Sequence, residues 1–179
     1  MPVQRNMSGV ASYNAEQNKQ ARACLRDALS ILMRQKPYDS ISVTELCDKA
    51  GVSRSAFYSN FGTLGAVFKE IAQSLISEIT EKIEVLQRHN SLAWYERFFA
   101  LVEQNIEIYQ IIAQSPLLLE KYLEVSNEII LDHDWLTEKD RIHRLAFNGA
   151  IQNATFRWIR DGRKESAQTI AAWCYEFLG

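Results

Sequence analysis

Between Ser42 and Phe68 the chain reads SVTELCDKAGVSRSAFYSNFGTLGAVF, and few folds can hold that stretch. Two short helical patterns flank a glycine-centred turn, and a third begins directly after them. Ser42 and Glu45 have the S-x-x-E spacing of a capping box, in which each side chain takes up a backbone N–H that the helix's first turn leaves unpaired. Val43, Leu46, Cys47 and Ala50 follow at helical spacing and give a small apolar face. Gly51 ends the helix where a left-handed residue costs least, Val52 anchors the turn, and Ser53 is a good N-cap for a second helix starting at Arg54. The pattern predicts a helix-turn-helix.

At about 100° per residue, Phe57 and Phe61 fall on the inner side of that second helix and Ser55 and Ser59 point the opposite way. Arg54 and Tyr58 flank the outward face on one edge, Ala56 and Asn60 on the other. Short hydrogen-bonding side chains and one arginine therefore face out, a surface that can enter a major groove and meet base edges and phosphates.

The run from Ala28 to Phe68 resembles the DNA-binding domain of tetracycline-repressor-type (TetR family) transcriptional regulators. The matching pattern is an apolar helix, a turn at Lys36-Pro37-Tyr38, then Ile41-Ser42-Val43, Leu46, Ala50-Gly51-Val52-Ser53 and Phe57-Tyr58-x-x-Phe61. The resemblance implies an all-α fold: an N-terminal three-helix DNA-binding domain and a C-terminal helical domain for ligand binding and dimerisation. It implies DNA contacts from Arg54, Ser55, Tyr58, Ser59 and Asn60, with Ser42 and Thr44 on phosphates and Arg54 at a base or groove edge. One position departs from the family, which usually has a lysine where Leu64 stands, on a DNA phosphate. Gly65 follows where an acidic residue is common, so the clamp expected at this corner is weakened.

The formal charge of −2 fits a nucleic-acid binder only once the chain is divided. Up to Glu70 there are nine Lys/Arg against six Asp/Glu, a net +3, and from Ile71 onward eleven against sixteen, a net −5. This is a basic head on an acidic body. The organisation expected is a flexible arm over 1–18, a DNA-binding domain over 19–70 and a regulatory and dimerisation domain over 71–179. Within the arm Arg5 is a candidate DNA contact, the alternative being a tail with no role. The helix expected over Lys19–Gln35 sets Leu25, Ala28, Leu29, Leu32 and Met33 inward and carries Arg22 and Arg26 one turn apart. These two are either phosphate contacts or plain solvent-face charges.

After the second helix of the motif, Thr63 is placed to cap a long helix reaching about Arg88. Further helical segments are expected near Leu92–Gln114, Pro116–His133, Glu138–Asp161 and Lys164–Leu178, and no strand alternation competes. The last two carry apolar stripes wider than one core face needs, with Leu145, Gly149 and Phe156 on the first and Ile170, Trp173 and Phe177 on the second. By the resemblance they form a four-helix bundle between two chains. Trp94, Phe98 and Tyr109 are candidate lining for an effector pocket, the alternative being ordinary core.

Cys24, Cys47 and Cys174 are odd in number and far apart, which reads as reduced thiols. His133 and His143 lack a third ligand at useful spacing, so neither a metal nor a cofactor is expected. No glycine-rich phosphate loop, G-x-S-x-G elbow or H-E-x-x-H motif occurs, so no enzyme is expected and no catalytic residue is named. No apolar run approaches the roughly 20 residues a membrane helix needs, and a cytoplasmic protein is the expectation. The expected function is a homodimeric regulator that binds a palindromic double-stranded operator and responds to an unknown small-molecule effector, most simply as a repressor. The alternative is a regulator of the same fold that acts through a protein partner, its DNA binding weakened or lost.

Overall fold

The computed structural model describes residues 7–84 and 91–179, with side-chain placement over 13–83 and 91–179. Among the described residues there are nine α-helices, one short 3-10 turn and no strand, the all-α architecture that the periodicity predicts. The chain divides into two compact units, Met1–Ile71 and Ala72–Gly179. None of the described helices is long and apolar enough to cross a membrane.

In the first unit α1 (Met7–Gln35) packs on both α2 (Val43–Ala50) and α3 (Arg54–Asn60). Leu25, Leu29, Leu46, Phe57, Val67 and Phe68 are fully buried here, and the Tyr38 and Phe68 rings meet at 6.3 Å. Near this core α4 begins (Leu64–Glu84), continuing beyond Ile71 into the second unit's sequence. The thiol of buried Cys47 is pushed up by desolvation, which keeps it protonated and inert.

α1 starts twelve residues before Lys19, so the segment from Met7 to Asn18, expected as part of a flexible arm, is helical. Residues 13–20 are all exposed, and no apolar stripe is needed to hold them. Alanine, glutamine, glutamate and lysine there have good intrinsic helix propensity, and a helix already nucleated downstream extends one residue at a time. Arg5 lies outside the described residues, as do positions 85–88 at the expected end of α4.

The second unit contains α5 (Leu92–Gln104), α6 (Ile106–Gln114), α7 (Pro116–Leu131), α8 (Glu138–Arg160) and α9 (Ala167–Leu178). α5 packs mainly on α9, while α6, α7 and α8 pack on one another. The single helix expected over Leu92–Gln114 is two, because Asn105 turns its amide back onto the Leu101 carbonyl at 2.9 Å and ends the first. Asparagine competes with the helix ladder in this way without leaving the glycine or proline signature that marks most breaks. Pro116 occupies the first turn of α7, and Thr137 with Asp140 closes a full capping box on α8.

Three aromatic rings fill the space between α6, α7 and α8. The Tyr109 and Tyr122 hydroxyls are hydrogen-bonded at 2.9 Å, and Phe156 packs against both rings. Burial pushes both phenols up, Tyr122 to about 12 and Tyr109 well above its ordinary value. Each phenol holds its proton more tightly folded than unfolded, so their contribution to stability is intact below about pH 10 and is lost as pH rises toward 12. Urea unfolding at pH 8 and pH 11 is expected to differ by on the order of 2–3 kcal/mol, and Tyr122→Phe to narrow that difference.

Candidate nucleic-acid interface

Ser42 lies in extended backbone ahead of α2 and its hydroxyl accepts the Glu45 N–H at 3.2 Å. The reciprocal arm of the expected capping box goes mainly elsewhere: Lys36 bonds the Glu45 carboxylate and, ahead of the Ser42 backbone, holds its pKa down. Thr44 is exposed on the first turn. Gly51 closes α2 with φ 65° and ψ 28°, a left-handed conformation that costs glycine least. Ser53 then caps α3 by accepting the Ala56 N–H at 3.1 Å.

The seven residues of α3 sort into two faces. Phe57 is completely buried, with Phe61 half-buried just beyond the helix. Arg54, Ser55, Tyr58 and Ser59 are exposed, Tyr58 at 53% although its ring stands edge-on to Phe57 with the ring centres 5.2 Å apart. The outer face therefore offers a guanidinium, two small hydroxyls and a phenol without an aliphatic side chain among them.

Asn60 is held differently from the four exposed residues of α3. It is half-buried and its amide donates to the Ala56 carbonyl at 2.8 Å, so the side chain satisfies the end of its own helix. Ser59 Oγ donates to the same carbonyl at 3.0 Å but stays exposed.

Arg22 and Arg26 are likewise committed within the protein. Arg22 donates to the Asn60 carbonyl at 2.6 Å and to Glu70, Nε at 3.1 Å, and its guanidinium lies 4.3 Å from the centre of the Phe61 ring. Arg26 reaches the other Glu70 oxygen at 3.7 Å. These arginines hold α1, the end of α3 and the start of α4 together around one carboxylate, a role that neither sequence reading included. Glu70 is the residue that sequence reasoning missed, since its partners stand 48 and 44 positions earlier, beyond any helical spacing rule.

At the start of α4, Thr63 Oγ1 accepts the Ala66 N–H at 3.1 Å, the cap expected of it. Leu64 is half-buried, and a Cβ on Gly65 would meet only Thr63 Oγ1, at 3.8 Å. Nothing steric demands a glycine at this corner. Leu64→Lys would set an ammonium beside the first turn of α4. It is expected to tighten binding to a selected DNA duplex and steepen the slope of log K against log salt by about 0.9, read by fluorescence anisotropy across a salt series.

In the second unit the candidate pocket residues are packed rather than open. Trp94 and Phe98 are stacked at 5.6 Å and both are buried, while Tyr109 is fully buried against Tyr122. The candidate interface residues divide. Leu145, Trp173 and Phe177 are exposed, Phe177 at 81%, whereas Phe156 is buried in its own chain against Tyr109 and Tyr122. Ile170, Trp173 and Phe177 line a groove of about 570 Å³ between α8 and α9. Exposed His133 stacks on Trp135, and among the described residues no three His, Cys, Asp or Glu are grouped to hold a metal.

Residues 25–71 match the family model for bacterial regulatory proteins of the tetR family. No curated protein matches the chain. Among solved structures, a TetR transcriptional regulator from Streptococcus agalactiae 2603V aligns over 94% of this chain and 98% of its own, with 14% identity and a TM-score of 0.66. NalD, the secondary repressor of the MexAB-OprM multidrug efflux pump in Pseudomonas aeruginosa, aligns over 88% and 94%, with 20% identity and a TM-score of 0.56. The TetR family repressor AlkX from Dietzia sp. strain DQ12-45-1b, implicated in biodegradation of n-alkanes, aligns over 86% and 92%, with 16% identity and a TM-score of 0.57. An all-helical chain with a capped helix-turn-helix and a polar outer face on its second helix is, as a class, a DNA-binding transcriptional regulator. Residues 25–71 carry the match to the tetR family, and the fold is shared with a TetR transcriptional regulator along nearly the full length of the chain.

Proposed function

We propose that the chain is a homodimeric, ligand-responsive repressor that acts on a palindromic operator in the cytoplasm, residues 19–70 reading DNA and 71–179 dimerising and sensing. The observation that carries the DNA reading is the segregation of α3, with Phe57 wholly buried and Arg54, Ser55, Tyr58 and Ser59 all exposed. Arg54 is assigned a base or groove-edge contact, with Ser55, Tyr58 and Ser59 beside it. Ser42 and Thr44 are assigned to phosphates: the Ser42 oxygen accepts within α2 and leaves its own O–H free to donate. Asn60 has a part only if its amide leaves Ala56.

The homodimer reading is supported by Ile142, Leu145, Trp173 and Phe177, large apolar residues exposed on α8 and α9, and by Gly149 between them, which allows close approach. Phe156 backs this face from inside the chain. Two such chains would set their reading helices about 34–36 Å apart, matching successive major grooves. Two of the structurally similar proteins are named as repressors, which favours repression over activation. An effector would act by favouring a spacing that the operator does not accept.

Selection from a random duplex pool, followed by titration of the enriched sequence, tests this reading. Arg54→Ala is expected to lose about 1–3 kcal/mol of binding and to relax specificity at one position of each half-site. Parental affinity in both Arg54→Ala and Tyr58→Ala at moderate salt would overturn the assignment. A second reading, action through a protein partner, is favoured by the commitment of Arg22 and Arg26 to Glu70 and by Leu64 at the corner of α4. No enrichment of any duplex at low salt would select it.

A further inference from the structure

The loop between α1 and α2 is tied at both ends. The Lys36 N–H continues the α1 ladder to the Leu32 carbonyl at 3.1 Å. Tyr38, buried against the Phe68 ring, pins the 3-10 turn over Tyr38–Ser40. From that fixed base the Lys36 side chain turns forward along the chain. Its ammonium donates to the Ser40 carbonyl at 3.0 Å and to the Glu45 carboxylate in the first turn of α2. These two anchor points stand on either side of Ser42, whose backbone is extended at φ −97° and ψ 155° and whose hydroxyl accepts the Glu45 N–H.

Stability gives this bridge little purpose. The Lys36 and Glu45 side chains are 30% and 37% exposed, and an ion pair at that exposure gains little over two hydrated charges while it costs a long side chain its rotamer freedom. Its local effect is larger. Glu45 carries a carboxylate one turn from the Ser42 hydroxyl and beside exposed Thr44, the two residues assigned above to phosphates. Left bare, that charge would repel an incoming phosphate from within the screening length of about 8 Å. Lys36 meets the carboxylate directly, and its hydrogen bond is the chief reason that the Glu45 carboxyl is held below its ordinary range.

We propose that Lys36 is a positioning residue for the phosphate contact of Ser42, acting through Ser40 and Glu45 rather than on DNA itself. It ties the loop before α2 to that helix's first turn, which holds Ser42 in place, and it cancels the one carboxylate of that turn. The positioning role rests on the DNA reading above, whereas the bridge itself does not. An ammonium has three donors and Lys36 uses two on the protein, so a direct phosphate contact by the third is the competing role.

Lys36→Met is expected to bind the selected duplex about fivefold more weakly at moderate salt, with an unchanged slope of log K against log salt, because no cation leaves a phosphate. Its thermal midpoint is expected within about 3 °C of the parent's. Adding Glu45→Gln to Lys36→Met removes the bare carboxylate and is expected to restore affinity to within twofold of the parent, as is Lys36→Arg, which keeps the donors. Parental affinity in Lys36→Met, or a double variant as weak as Lys36→Met, overturns the proposal. A slope flatter by about 0.9 in Lys36→Met overturns it too and places the ammonium on DNA. The bridge is checked without DNA by carbon-13 titration of the Glu45 carboxyl in the full chain: its midpoint is expected to rise in Lys36→Met, and an unmoved midpoint overturns the bridge. If no duplex is enriched, the DNA reading falls and the positioning role with it, while the Glu45 titration still decides the bridge.

Discussion

Phe57→Ala is expected to destabilise the amino-terminal unit by about 3–5 kcal/mol, while Tyr58→Ala, one residue along, costs about 1 kcal/mol or less and abolishes most operator binding. The contrast follows from where each ring sits. Phe57 has no accessible surface and lies under a seven-residue helix that makes few contacts of its own, so truncation leaves a cavity that short elements cannot easily collapse around. Tyr58 is more than half exposed and gives up one edge contact with Phe57. Chemical denaturation and duplex titration on both variants provide the check. Full binding by Tyr58→Ala, or a melt in Phe57→Ala that matches the parent, would mean that the inner and outer faces of α3 are wrongly assigned.

That contrast was legible in the sequence because it depends on local chemistry. The Ser42 cap, the left-handed Gly51, the Ser53 cap and the inward turn of Phe57 all follow from spacing and side-chain type within about twenty residues, and the structure reproduces each. What could not be read was where long polar side chains end. Arg22 and Arg26 stand on a helix face that periodicity labels as solvent, and only tertiary folding brings Glu70 and the Asn60 carbonyl to them. Periodicity placed Trp94, Phe98, Tyr109 and Phe156 on apolar faces correctly. It does not say whether an apolar face closes on its own chain, as Phe156 does, or remains open, as Phe177 does. The buried amides of α8 were missed for the same reason: Asn148 and Gln152 at i, i+4 have the spacing of a core stripe but the chemistry of a surface.

Arg22→Ala is expected to lower operator affinity about tenfold without changing the slope of log K against log salt. Its guanidinium joins three groups that must move together for α3 to hold its angle: the carbonyl at the end of α3, the carboxylate near the start of α4 and the Phe61 ring. Arg22 and Glu70 side chains are 37% and 22% exposed, between a surface pair worth little and a buried pair whose rupture costs several kcal/mol. Adding the carbonyl bond and the ring contact puts the destabilisation on the order of 1–3 kcal/mol. The salt slope separates this role from a phosphate contact. An arginine that neutralises a phosphate contributes about 0.9 to the slope, so losing one flattens the plot. An arginine that only orients the reading helix lowers affinity by the same factor at every salt concentration. Glu70→Gln retains an acceptor for Arg22 but removes the charge, and is expected to show the same parallel loss at smaller size. A flattened slope in Arg22→Ala, with Glu70→Gln binding more tightly than the parent, would instead place Arg22 on the DNA backbone with Glu70 as its competitor.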